Sequence, residues 1–278
     1  IFLGTVLLSL PISSAHDERI SFIHALFTST SAVCVTGLTV LDTGRDFSIF
    51  GQIVILLLVQ FGGLGIMLFS TAILGILGKR MGLRERVLVQ QTSPGLSLSS
   101  VSGLARRIVV FAFVCEFIGF VGLSIAWAGR LGWDSLYHAA FHSISAFCNA
   151  GFSLYSDSLA QDVANPLVNL VIMALIIAGS FGYFVSSDLL QWLRTSRMKI
   201  SLHSYVSIVT TFALIAGGAF VVLFFELDNP DTLGALNWWE KSWAAVFQSV
   251  AMRTAGLSSV SVGDLREETF LFIMVLMF

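Results

Sequence analysis

Charged residues are scarce in this chain of 278 residues: Asp, Glu, Lys and Arg together make up 12% of it. Soluble domains carry about 25%. Apolar residues reach 56%, and the mean hydropathy is +0.87. This composition predicts a protein embedded in a lipid bilayer. The formal net charge of −2 argues against nucleic acid as a partner.

Cysteine is also rare, and Cys34, Cys115 and Cys148 show neither a CxxC motif nor a paired spacing. We therefore expect no disulfide framework and no metal site built from cysteine. Catalytic patterns are missing as well, since Ser186, Ser187 and Asp188 with a few scattered histidines form no nucleophile and base pair. We expect no enzyme and no organic cofactor.

Long apolar runs alternate with shorter amphipathic pieces. The long runs reach the roughly 20 residues needed to cross a bilayer and cover 47–77, 108–128, 166–193 and 205–227. The short pieces cover 20–33, 134–147 and 240–252. The order predicts a repeated unit of spanning helix, short helix with turn, and spanning helix. Apolar stretches at both ends are about half a span long, so we expect a fragment of a longer protein.

Basic residues concentrate in the connections 79–107 and 194–204. Cytoplasmic loops carry excess Lys and Arg, so both connections are predicted to lie inside and the short helices with their turns outside. The predicted outer segments hold most of the acids, which would raise the local cation concentration. They also hold tryptophans expected to anchor at the membrane interface: Trp127, Trp133, Trp238, Trp239 and Trp243.

The three short pieces each end in a glycine turn, over 27–38, 141–152 and 247–257. Aligned on Gly37, Gly151 and Gly256, the first two copies share Phe, Ser, Ala and Cys at the same distances before the glycine. The third copy is one residue shorter between its Phe and its Gly. Such recurrence at a long period indicates an internal repeat.

These turns suit a dehydrated cation, which needs oxygen ligands to replace its water. Consecutive backbone carbonyls can provide them, and glycine adopts the required dihedral angles. A short helix also aims its partially negative C-terminus at the ion. The predicted ion-binding backbone comprises Cys34, Val35, Thr36, Gly37, Cys148, Asn149, Ala150, Gly151, Arg253, Thr254, Ala255 and Gly256. A secondary carrier with broken helices is the alternative, although three repeats in one orientation favour a channel-like pore.

The motifs SAVCVTGLTVLDTG at 31–44, FGQIVILLLVQFGGLGIM at 50–67, FCNAGFS at 147–153 and MRTAGLS at 252–258 carry a resemblance. Across essentially all 278 residues the chain resembles the bacterial Trk/Ktr/HKT superfamily of potassium transporters, and its Ktr-type membrane subunits more than its Trk-type ones. The resemblance implies an all-α integral membrane protein with four units of helix, pore loop and helix around a pseudo-fourfold pore. About two and a half units are present: 1–78, 108–193 and 205–278.

The resemblance further implies potassium as the transported ion and Gly37, Gly151 and Gly256 as filter glycines. A serine in the first filter accompanies sodium preference in plant relatives, so Gly37 favours potassium. Uptake at the bacterial inner membrane, a homodimer, possible stimulation by sodium and a gating ring of cytosolic KtrA-type nucleotide-binding subunits are implied too. Both basic connections, including Arg84 and Arg86, are hypothetical docking surfaces for this ring. Contact with lipid phosphate is the alternative.

Several single residues invite a functional interpretation. We expect Arg253 to point away from the pore and to pair with a carboxylate, the alternative being a pore-lining role. Glu116 is either functional, as an acid inside the membrane, or part of a structural pair. Asp188 is expected at the membrane interface, and His138 and His142 in packing and hydrogen bonding. The glycines after the first turn, Gly62, Gly63 and Gly65, are expected to permit close helix packing.

Overall fold

The computed structural model describes residues 1–16, 19–80, 101–194, 200–253 and 255–277. The regular elements of these ranges are α-helices and three short 3-10 helices. The α-helices are α1 (Phe2–Leu8), α2 (Phe22–Val33), α3 (Ile49–Arg80), α4 (Val101–Leu131), α5 (Asp134–Phe147), α6 (Pro166–Arg194), α7 (Leu202–Glu226), α8 (Trp238–Ala251) and α9 (Glu267–Met277). The predicted all-α class is confirmed.

Four helices are long and apolar enough to cross a membrane, through 49–69, 105–131, 166–192 and 202–226. Two of these helices start at residues that carry a clear sequence signal. Pro166 opens α6, where its missing N–H costs nothing. Ser201 caps α7 by accepting a hydrogen bond from the backbone N–H of Ser204. Large apolar side chains on these helices stay exposed, among them Phe61, Phe117 and Phe220, as expected for surfaces that face lipid.

The short helices α2, α5 and α8 pack among the long ones. Helix α2 lies against α1 and α3, α5 against α4 and α6, and α8 against α7 and α6. Helix α3 also contacts α4 and α5, so neighbouring groups of helices share their faces. This arrangement brings the turns that follow α2, α5 and α8 close to one another.

The predicted cytoplasmic connections are partly helical. Helix α4 begins at Val101 and α7 at Leu202, so assigning all of 79–107 and 194–204 to loops was wrong at these ends. Apolar residues on both sides of Arg106 and Arg107 let the helix run through this basic pair. Residues 81–100 and 195–199 of these connections, including Arg84, Arg86, Arg197 and Lys199, lie outside the described residues.

Helix α6 is broken at Gly182, which the apolar pattern did not predict. Its φ of 65° and ψ of −177° fall in a region essentially restricted to glycine. A Cβ there would meet nothing within 4 Å, so the backbone conformation, and not crowding, accounts for glycine at this position.

Candidate ion site

The glycines of the three turns meet at one place in the molecule. A Cβ built on Gly151 would lie 3.0 Å from the Cα of Gly256 and 3.1 Å from the Cα of Gly37. A Cβ on Gly37 would lie 2.8 Å from the carbonyl oxygen of Ala150. All three glycines have positive φ angles, of 78°, 73° and 71° in chain order. Both their backbone conformation and their mutual contact therefore require glycine.

The first two turns end their helices in the same way. The N–H of Thr36 donates to the carbonyl of Ser31 at 2.9 Å, and the N–H of Ala150 donates to that of Ser145 at 2.8 Å. The residue before each donor, Val35 or Asn149, is left-handed with φ near 55°. This is the Schellman arrangement of a helix C-terminus. Asparagine tolerates it, whereas a β-branched valine is strained there.

The third turn is built differently, because it is one residue shorter. The N–H of Ala255 donates to the carbonyl of Ala251, four residues back, at 2.8 Å, where the other turns reach five residues back. Gly256 nevertheless lies against Gly151, as the glycine of the first turn does. Thr254, a predicted ion-binding residue, lies outside the described residues.

Arg253 does not follow the expected pairing. Its guanidinium donates to the hydroxyl of Thr211 on α7 at 3.2 Å, and among the residues that the structure describes no carboxylate forms an ion pair with it. The expectation of a carboxylate partner was thus wrong for this part of the chain. The side chain reaches back to the helix behind the turn, and Thr211 carried no sequence signal for this contact.

Serines anchor two of the short helices to the helical segment that precedes each of them. Ser29 Oγ donates to the carbonyl of Ile1 at 2.8 Å, and Ser249 Oγ donates to that of Ile215 at 2.9 Å. A glycine three residues after each acceptor, Gly4 or Gly218, contacts the same serine. The same contact thus occurs at two of the three short helices.

Glycines on the following long helices contact the C-terminal ends of the short helices. Gly62 on α3 lies against the carbonyl of Val33, and Gly179 on α6 lies against that of Phe147. Val33 and Phe147 each precede the glycine of their turn by four residues. Gly63 contacts the side chain of Cys148. Close packing was the expectation for all three glycines; the contacts of Gly62 and Gly63 agree with it, but Gly65 has open space within 4 Å of its Cβ position.

Glu116 forms part of a buried polar chain that ends at the second turn. Gln60 Nε2 donates to Glu116 Oε1 at 2.9 Å, joining α3 to α4. The amide oxygen of Gln60 lies 3.9 Å from the thiol of Cys148, which donates to it. Glu116 is 4% exposed. The structure thus gives this acid a hydrogen-bonded partner, which is what the interpretation as part of a structural pair requires. The sequence did not single out Gln60 as that partner.

An aromatic and charged cluster supports the second turn on its other side. His142 is fully buried, and its ring nitrogens contact the carbonyl of His138 at 2.8 Å and the hydroxyl of Ser153 at 3.0 Å. Tyr155 stacks on both imidazoles. Burial raises the pKa of Tyr155, although Arg130 opposes this shift, so the phenol keeps its proton at neutral pH. The expected packing role of the two histidines agrees with these contacts.

Trp127 belongs to this cluster and not to the membrane interface. It is 1% exposed, and its Nε1 donates to Asp162 at 3.1 Å. Asp162 also accepts from Arg130 at 3.0 Å. The prediction of an interfacial anchor was wrong for Trp127, because the indole has a buried carboxylate partner. Trp133, Trp238 and Trp239 are exposed, as an anchor must be.

The predicted site residues differ in their exposure. Cys34, Thr36 and Gly256 are exposed, and Val35, Gly37, Asn149, Gly151 and Arg253 are half-buried. Cys148, Ala150 and Ala255 are buried. Asp188 lies elsewhere, near the end of α6, where it accepts from the hydroxyls of Ser201 and Ser204 at 2.6 Å each. It joins α6 to the start of α7 and takes no part in the candidate site.

The four membrane-length helices make this a multi-pass membrane protein of all-α fold. A family model described as TrkH, cation transport protein, matches residues 3–278. The chain belongs to this family, which consists of transport proteins, in agreement with the prediction that it is no enzyme.

Individual relatives are similar over the whole chain. It is 45% identical to the Ktr system potassium uptake protein B of Bacillus subtilis, covering 100% of this chain and 62% of the relative. It is 38% identical to the potassium/sodium uptake protein NtpJ of Enterococcus hirae, covering 100% of this chain and 61% of the relative. The chain thus spans about three fifths of these relatives' length.

A solved structure shows the same fold. The potassium transporter TrkH from Vibrio parahaemolyticus superimposes with a TM-score of 0.67 at 20% identity, covering 99% of this chain and 54% of that chain.

Proposed function

We propose that this chain forms the potassium-conducting part of a bacterial uptake system, with the ion path at the three glycine turns. One observation carries the proposal: Gly37, Gly151 and Gly256, distant in sequence, meet through their backbones. The C-terminal ends of α2, α5 and α8 lead directly into these turns, so their partial negative charges add to the carbonyls around a cation. The names of the Ktr and NtpJ relatives supply the choice of potassium.

The ligands in this proposal are backbone oxygens of the twelve predicted residues, from Cys34 to Gly37, Cys148 to Gly151 and Arg253 to Gly256. In the described arrangement the glycines touch, so conduction requires the turns to lie further apart. A fourth turn, which the family resemblance implies, would widen the ring. The glycine turns are proposed to face outside and the basic connections to face the cytoplasm of a bacterial cell.

Further parts of the proposal concern the assembly. The resemblance to Ktr-type subunits supports a homodimer and a cytosolic ring of KtrA-type nucleotide-binding subunits that gates the pore, with sodium stimulating uptake. The 45% identity to a Ktr protein favours the Ktr type over the Trk type.

The test is potassium or rubidium uptake by the full-length protein in a strain deficient in potassium uptake, comparing wild type with Gly37→Ser. The added Cβ would lie 2.8 Å from the carbonyl oxygen of Ala150. We expect a weaker apparent potassium affinity, or uptake of sodium, at an unchanged protein level.

Gly132→Ser is the matched control, because Gly132 has a φ of 57° but open space around its Cβ position. It should transport like wild type. Unchanged uptake and ion preference in Gly37→Ser would remove Gly37 from the ion path. Obligatory exchange in proteoliposomes would indicate a carrier instead of a pore.

A further inference from the structure

A groove of about 640 Å³ runs between α4 and α6, and no residue of the glycine turns lines it. The two helices form its walls, and their residues follow one another along its length. Arg106, Arg107 and Gln191 lie at one end, Ser187 and Val110 follow, and Val114 lies deeper. The groove therefore changes from cationic through polar to apolar along its length.

No acidic side chain lines the cationic end among the described residues. Arg106 and Arg107 are both exposed, and no carboxylate is among the described residues that line the groove. Arginine presents several donors that match a phosphate group. Ser187 and Gln191 add neutral hydrogen-bonding groups beside this end.

The apolar end has the depth of an acyl chain in one leaflet. From Arg107 to Val114 the helix rises about 10 Å at 1.5 Å per residue, while half of a hydrocarbon core measures about 15 Å. Arg106 and Arg107 stand at the basic start of α4, where a phospholipid headgroup would lie. Val114 then points to the level of the lipid chains.

The groove is defined by packed aromatic rings and a fixed backbone break. Phe111 and Tyr183 form its floor, with their ring centroids 6.0 Å apart in an edge contact. Phe111 makes a second edge contact with Phe147 at the end of α5. Tyr183 directly follows Gly182, whose conformation an L-residue cannot easily adopt.

We propose that this groove binds an anionic phospholipid of the inner leaflet. The phosphate contacts Arg106 and Arg107, the glycerol region contacts Ser187 and Gln191, and one acyl chain lies along Val110 and Val114. Basic pockets between membrane helices on the cytoplasmic side are suited to anionic headgroups. The inference requires the basic ends to face the cytoplasm but does not depend on which ion the protein transports.

The test measures phosphatidylglycerol retained by the purified full-length protein in native mass spectrometry, with phosphatidylcholine as the neutral lipid. The double variant Arg106→Gln/Arg107→Gln should bind phosphatidylglycerol about 30-fold more weakly, from two arginines near an anionic headgroup. Its phosphatidylcholine binding should not change. Arg45→Gln/Arg266→Gln removes two exposed arginines elsewhere and serves as the charge control.

A second variant, Val114→Trp, fills the apolar end without changing any charge. It should also reduce retention of phosphatidylglycerol, and the thermal unfolding midpoint must show that it folds. Inorganic phosphate is the competing probe: if it displaces phosphatidylglycerol fully, the site takes small anions and the lipid proposal fails. Equal lipid binding by both double variants, or no phosphatidylglycerol binding by wild type, would also overturn it.

Discussion

Gly151→Ala tests the meeting of the three turns most directly. Its Cβ would lie 3.0 Å from the Cα of Gly256, 3.1 Å from the Cα of Gly37 and 3.3 Å from the carbonyl oxygen of Ala255. All three are backbone atoms, so no side-chain rotation can relieve the contact. The φ of 73° adds about 1–2 kcal/mol of strain for an alanine, and overpacking adds about 1–3 kcal/mol.

Gly132→Ala separates these two costs. Its φ of 57° imposes a similar strain, but nothing lies within 4 Å of the new Cβ. Gly132→Ala should lower the free energy of unfolding by about 1–2 kcal/mol and leave uptake near wild type. Gly151→Ala should lose at least about tenfold in rubidium uptake, since 1.4 kcal/mol at the turns already corresponds to a factor of ten. Equal uptake by both variants would refute the reasoning from contact.

Two buried acids give the remaining predictions. Glu116→Leu leaves the Gln60 amide without its acceptor and should destabilise the protein by about 1–3 kcal/mol. Glu116→Gln keeps an acceptor and should lose less stability. Equal losses of stability for the two variants in thermal unfolding would contradict this. Glu226→Leu strands the donors of Asn229, Thr232, Thr269 and the backbone of Arg266. It should destabilise by at least about 3 kcal/mol, while exposed Glu268→Gln should be near neutral in the same assay.

Sequence periodicity predicts the helices well here because burial in lipid demands continuous apolar runs. The short helix α5 begins and ends at the predicted residues, Asp134 and Phe147. Helix α4 extends beyond its apolar run to Val101, since Arg106 and Arg107 are good helix formers that hydropathy alone excludes. The break at Gly182 was missed for the opposite reason: a glycine inside an apolar run leaves the hydropathy unchanged.

Some parts of the candidate site could likewise be predicted from the sequence, and others could not. The glycines could be found from the sequence, because a positive φ combined with close backbone contact requires glycine in each turn. The partners of Cys148 and Arg253 could not, since Gln60 and Thr211 lie on long helices far away in the sequence. Trp127 shows the same limit, because a tryptophan near the end of a span has the same pattern whether it faces lipid or a buried Asp162.

The side chains that stand three residues before the turn glycines differ in chemistry, and their contacts explain why. Three residues before each glycine stands Cys34, Cys148 or Arg253, and the latter two point backward, toward Gln60 and Thr211. A residue that packs behind the turn can change with its neighbours, so a thiol and a guanidinium can occupy equivalent places. The glycine faces the other turns, where an added Cβ would strike backbone. What the repeats must share is therefore the path of the backbone, which is also the part that would supply oxygens to an ion.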